Sequence, residues 1–109
     1  MLNKVSISKN AQADMDEIFS YIANHLHSPR NAYLTYKRII ASIESLVNFP
    51  MRYQICKCEL WRNRNIRVMP IGNHLVFYTF SVDESAIKIF RVLNSRRNIE
   101  KASKETIKF

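Results

Sequence analysis

The chain has 109 residues, 47% apolar and 24% charged, with one glycine and three prolines, a composition that excludes disordered and fibrous proteins. Seventeen lysines and arginines against nine acidic residues give a net charge of +8, so polyanions or acidic proteins are the partners to expect. The N-terminus lacks a secretory h-region and the longest apolar stretch, residues 75–80, is far short of a membrane span; the sequence predicts one domain over 1–109, soluble and cytoplasmic.

Residues 2–8 set Val5 and Ile7 against Lys4 and Ser6, the period of a half-buried strand. From Ala11 the period lengthens. Ala11, Met15, Ile18, Ile22 and Leu26 recur at three and four and predict a helix. Asp14, Asp16 and Glu17 fall in its opening turns, where the helix dipole favours carboxylates. Ser28 and Pro29 mark a second helix start, and Ala32, Tyr36, Ile39, Ile40, Ile43, Leu46 and Val47 carry an apolar stripe until Pro50 stops it. So short a connection makes the two helices an antiparallel hairpin.

Beyond Pro50 segments 53–60, 65–69, 74–80 and 86–93 favour strands. Residues 70–73, which hold the only glycine, and the polar residues 81–85 read as turns of an antiparallel meander. The nearly continuous apolar run at 75–80 predicts a central strand covered on both faces. After Leu93 the chain becomes basic, and a short helix or loose tail is expected. The predicted fold class is α+β: an N-terminal strand, an antiparallel helical hairpin packed on a mostly antiparallel sheet, and a short basic C-terminal segment.

Cys56 and Cys58 are spaced badly for a mutual disulfide and read as reduced, half-buried thiols. With only His25, His27 and His74 to join them, no zinc-like spacing exists, so neither metal nor cofactor is expected. The charge is concentrated. Residues 1–51 hold five basic and four acidic side chains, whereas 52–109 hold twelve and five. Arg62, Arg64 and Arg67, then Lys88 and Arg91, then Arg96 and Arg97 could gather guanidiniums suited to phosphates, carboxylates or an acidic protein segment. A merely solvated face is the plain alternative.

The order Ala11, then Asp14-Met15-Asp16-Glu17-Ile18, Tyr21-Ile22-Ala23, the Phe49-Pro50 stop, an Arg67-bearing strand, Leu75-Val76-Phe77-Tyr78 and 87–98, IKIFRVLNSRRN, resembles the RelE/ParE superfamily of type II toxin-antitoxin toxins across nearly the whole chain. The resemblance implies a helical hairpin on an antiparallel sheet, and one of two activities. RelE-like members are ribosome-dependent mRNA endoribonucleases, and ParE-like members poison DNA gyrase. Both are silenced by a cognate antitoxin, so a toxin–antitoxin hetero-oligomer is implied.

Cutting RNA through its 2′-hydroxyl needs a base, an acid and positive charge for the phosphate. Under that reading the candidates are Arg67, His74, Tyr78 and Arg91. The chain departs from the nuclease pattern: Asn65-Ile66-Arg67 replaces a Lys-x-Lys pair, and Leu93, Asn94 and Ser95 stand where nucleases of the family often carry His or Tyr. The ParE-like reading is therefore favoured, although Asn94 and Asn98 replace the His and Asp of many ParE-like chains. Its expected target contacts are Arg64, Arg67, Arg91, Arg96 and Arg97, with Tyr33, Leu34 and Trp61 facing the antitoxin. A non-toxic nucleic-acid-binding module of the same fold is the third reading.

Overall fold

The computed structural model describes residues 3–96. In chain order they form β1 (Lys4–Ile7), α1 (Lys9–Ser20), a π-helical turn (Tyr21–His25), α2 (Pro29–Ser45), α3 (Glu59–Arg62), β2 (Arg67–Ile71), β3 (His74–Ser81) and β4 (Ala86–Asn94). One four-stranded sheet runs in the order β1-β4-β3-β2. β2, β3 and β4 form the antiparallel meander, and β1 joins it parallel to β4. The expected basic C-terminal segment lies outside the described residues from position 97 onward.

The passage from β1 into α1 turns on Ser8. Its N–H donates to the Ile89 carbonyl, and its hydroxyl donates to the Phe90 carbonyl while accepting the Ala11 N–H, capping the helix. α1 therefore begins at Lys9, two residues before the apolar period starts, and Asp14 stands in its second turn. The helical stripe at Ile22 and Leu26 is carried by the π turn, in which the Leu26 N–H reaches back to the Tyr21 carbonyl. Pro29 opens α2 at its first position with no help from the Ser28 hydroxyl. α2 ends at Ser45, five residues before Pro50, and Leu46 and Val47 close it with tighter bonds to Ile43 and Glu44.

The hairpin is tied to itself and to the sheet by a few polar contacts. Gln12 Nε2 donates to the Tyr36 hydroxyl, and Asn3 Nδ2 donates to the Val47 carbonyl. Its apolar stripe, from Ala11, Met15, Ile39, Ile43 and Leu46, packs on Met69, Val76, Tyr78, Ile87, Ile89 and Val92. The opposite face of the sheet carries a second core of Cys56, Trp61, Ile66, Phe77, Phe90 and Leu93, in which Trp61 meets Phe77 at 4.6 Å and Phe90 at 4.9 Å between ring centroids. β3 is thus covered on both faces, as its apolar run requires.

Two expectations are corrected. Residues 53–60 do not form a strand: one bridge pairs Ile55 with Arg67, and the chain then turns into α3. A straight strand would hold Trp61 and Ile66 about 17 Å apart. The turn brings both under the sheet, with the Ile66 N–H bonded to the Trp61 carbonyl at 3.1 Å. The second correction concerns residues 70–73, where only Gly72 and Asn73 form the hairpin turn. Pro70 and Ile71 belong to β2, an edge strand that tolerates a proline lacking its N–H. Gly72 sits at φ +57°, the conformation that a two-residue hairpin asks of its first residue.

Candidate functional site

β1 stops pairing with β4 at Ile89, and beyond that point α1 takes over the exposed strand edge. Asp14 carries out the exchange. Its Oδ2 accepts the Val92 N–H at 3.0 Å and Arg91 Nε at 2.7 Å, while Oδ1 accepts Arg91 Nη2 at 2.9 Å. Both side chains are less than one-tenth exposed. The pair is a bidentate, buried clamp joining the first helix to the last strand.

Just beyond the clamp, an open groove of about 580 Å³ runs between the end of the first helix and the ends of β3 and β4. Ile18, Tyr21, Ile22 and Leu26 form its apolar wall, and His74, Asn94 and Arg96 form the polar one, with Glu17 also lining it. His74 and Asn94 are cross-strand partners, and the Asn94 side-chain carbonyl accepts the Arg96 N–H at 2.9 Å. Burial pulls the His74 imidazole below its ordinary value, which favours the neutral ring at this wall.

The other candidates lie elsewhere. Arg67 and Tyr78 face each other across β2 and β3. Arg67 Nη1 donates to the Tyr53 carbonyl at 2.7 Å and to the Met51 carbonyl at 3.4 Å, so this guanidinium fastens the loop after α2 to the sheet. Tyr78 is fully buried, and its hydroxyl donates to the Pro50 carbonyl at 2.8 Å. Burial pushes its phenol up, and the neighbouring Arg67 charge only partly offsets that. His74 stands four strand residues from Tyr78, about 13 Å away. The four nuclease candidates are therefore not assembled around one point: Arg67 and Tyr78 form one pair, His74 lies at the groove, and Arg91 is held by Asp14.

Among the expected target contacts, Arg64 and Arg96 are exposed, Arg67 is half-buried, and Arg97 lies outside the described residues. Arg91 is corrected: it is buried against Asp14 and presents no fork to a target. Of the expected antitoxin contacts, Tyr33 and Leu34 are about half exposed on α2 and belong to neither core. Trp61 is corrected as well, for it is wholly buried beneath the sheet. Asp14 stands in the second turn of α1 and clamps Arg91, a role that the helix-dipole expectation does not contain. The available signal was its place three residues after Ala11 and four before Ile18, on the apolar stripe where an unpaired carboxylate would not survive.

Among the described residues no group of His, Cys, Asp and Glu could hold a metal ion, and no helix is long and apolar enough to cross a membrane. Cys56 and Cys58 form no disulfide, and burial raises Cys56 above its ordinary value.

No curated protein matches the chain significantly. Solved structures share its fold, two of them from toxin–antitoxin systems. One, from the chromosomal ParDE toxin–antitoxin system of P. aeruginosa, has a TM-score of 0.66 at 14% identity and covers 84% of this chain and 95% of its own. The other, from the RelBE2 toxin–antitoxin complex of Mycobacterium tuberculosis, has a TM-score of 0.60 at 16% identity and covers 86% and 99%. The family described as the ParE toxin of the type II toxin-antitoxin system, parDE, matches residues 5–99, from the first strand through the helical hairpin and the whole sheet. A match of that extent, on the fold it requires, makes this chain a member of the ParE toxin family, a toxin of a type II toxin–antitoxin system.

Proposed function

We propose that this toxin arrests growth by binding DNA gyrase through the groove between its first helix and the β3–β4 ends, and not by cutting mRNA. The observation that carries this reading is the dispersal of the nuclease candidates. Proton transfer to a scissile phosphate needs acid, base and cation within hydrogen-bond reach of the same atoms. Here Tyr78 donates into the fold, Arg91 is clamped by Asp14, and His74 is four residues along the sheet, about 13 Å, from the Tyr78–Arg67 pair. The groove has the opposite character. An apolar wall beside a polar lip, with Tyr21 and Leu26 each more than half exposed, is the composition of a protein-binding surface. Arg96, with Arg97 after it in sequence, supplies the cation at the lip.

The cognate antitoxin takes a different surface in this reading, the outer face of the helical hairpin, where Tyr33 and Leu34 are exposed. The deciding experiment adds the full chain to a gyrase supercoiling reaction and, separately, to ribosomes programmed with mRNA. Supercoiling falls and message 5′ ends are unchanged if gyrase is the target. Arg96→Glu, which reverses the charge at the lip, weakens the inhibition at least ~10-fold, equivalent to about 1.4 kcal/mol. Codon-positioned cuts with normal supercoiling overturn the proposal in favour of the nuclease.

A further inference from the structure

The groove leaves a second cationic stretch of the chain unused. Residues 45–82 contain five basic side chains, Arg52, Lys57, Arg62, Arg64 and Arg67, and a single acidic one, Glu59. At their centre residues 62–65, Arg-Asn-Arg-Asn, are all exposed and sit between Trp61 and Ile66, which are 0% and 2% exposed. The turn is tightly built. The Arg62 N–H bonds to the Cys58 carbonyl, Arg64 N–H to Trp61, and Asn65 N–H to Arg62, while Cys56 N–H holds the Ile66 carbonyl at 2.7 Å. Asn65 takes φ +57°, a left-handed residue that lets the chain double back. Among the described residues no hydrogen bond or ion pair occupies the side chains of Arg62, Asn63, Arg64 or Asn65. Two guanidiniums and two amides therefore project from a rigidly anchored knuckle.

From this arrangement we infer that the 62–65 knuckle is a second interaction surface, one that grips the phosphodiester backbone of duplex DNA. The choice of partner follows from what the knuckle lacks. A protein interface is centred on apolar anchors, but none of residues 62–65 is apolar and Trp61 and Ile66 both turn into the core; the exposed apolar side chains that precede the turn, Phe49, Met51 and Ile55, belong to the loop after α2. Single-stranded RNA is held by stacking its bases on exposed aromatic rings. The aromatic residue of the knuckle is buried, and Tyr53 nearby is half-buried with the Arg52 guanidinium 5.3 Å from its ring centre. What remains is planar cations and hydrogen-bonding amides on a narrow protrusion, the inventory of phosphate contacts along a duplex. The inference goes beyond the gyrase reading and stands or falls without it.

The test is fluorescence polarisation of the full chain with a labelled 20-base-pair duplex, repeated at several salt concentrations, beside a labelled single-stranded RNA of the same length. Each phosphate contact contributes close to one unit to the slope of log affinity against log salt. Arg62→Ala/Arg64→Ala is expected to weaken duplex binding at least ~10-fold at low salt and to flatten that slope by about two. A control of equal charge, Lys9→Ala/Arg30→Ala, removes two exposed cations from the helix starts and should leave duplex affinity within about twofold of the parent, which separates a local grip from net-charge attraction. Both variants change exposed side chains, and circular dichroism melts confirm that they fold. Equal losses in the two variants, an unchanged Kd in the knuckle variant, a parent that does not bind duplex, or tighter binding to the RNA would each overturn the inference. Gyrase inhibition is assayed on the same proteins. Loss of duplex binding with inhibition intact upholds the knuckle as a separate surface, and failure of the gyrase proposal leaves this result unaffected.

Discussion

Arg91 is where stability and toxicity are most easily confused. Its guanidinium and the Asp14 carboxylate satisfy each other with two hydrogen bonds, and the Val92 N–H completes the carboxylate's set. A buried pair of this kind adds little over a well-packed apolar pair, but removing one member strands the other charge. Arg91→Ala should therefore cost about 3–5 kcal/mol, read as a lowered denaturant midpoint with unchanged slope. Toxicity would disappear with the fold. Arg91→Lys should recover only part of the loss, because a single ammonium cannot reproduce the two-pronged contact. An Arg91→Ala protein as stable as the parent yet harmless to cells would reverse the assignment and return Arg91 to the target surface. His74 shows the same dependence on surroundings at lower stakes, since burial lowers its pKa in the groove wall that Arg96 also lines.

At the scale of elements, the layer beneath the sheet is the least expected part of the fold. It rests on Trp61, the largest fully buried side chain, whose indole N–H has no hydrogen-bond partner among the described residues. Trp61→Ala removes a ring that touches both Phe77 and Phe90 and should cost about 3–5 kcal/mol. Trp61→Phe loses less apolar area and also removes the unpaired donor, itself a penalty of about 1–3 kcal/mol, so the two effects largely offset. Urea unfolding of the two variants measures the difference. If Phe proves as damaging as Ala, the N–H is bonded in solution and its apparent isolation is wrong. The strand at 74–80 was legible because its nearly continuous apolar run fits a strand covered on both faces, and that at 86–93 because its β-favouring residues follow a polar turn. Residues 53–60 were not, because their β-favouring composition says nothing of the need to bring Trp61 back beside Ile66. Tertiary demand overrode local propensity there.

At the scale of the whole molecule, sequence located the positive charge in the second half but could not tell which arginines were available. Arg91 and Arg67 are engaged by Asp14 and by backbone carbonyls from distant segments, whereas Arg62, Arg64 and Arg96 are exposed, and that division exists only after folding. The groove was half legible: Arg96 and His74 were named, while the π turn that delivers Tyr21 and Leu26 to the opposite wall leaves no distinct mark in a helical apolar pattern. The resulting surface is divided, with apolar side chains on the helical hairpin and the loop after it, a mixed groove at the β3–β4 ends and a cationic knuckle before β2. Such a division predicts that neutralisation and toxicity can be separated. Tyr33→Ser/Leu34→Ser changes two half-exposed side chains outside both cores, so the fold and the groove should persist. Contacts that anchor an interface are each worth more than about 1 kcal/mol, so losing two should weaken antitoxin binding at least ~10-fold. Cells carrying this variant should stop growing even when the antitoxin is co-expressed at a level that protects them from the parent toxin. Continued protection, with an unchanged Kd for the antitoxin, would move its seat off the helical face and into the groove, where it would compete directly with the target.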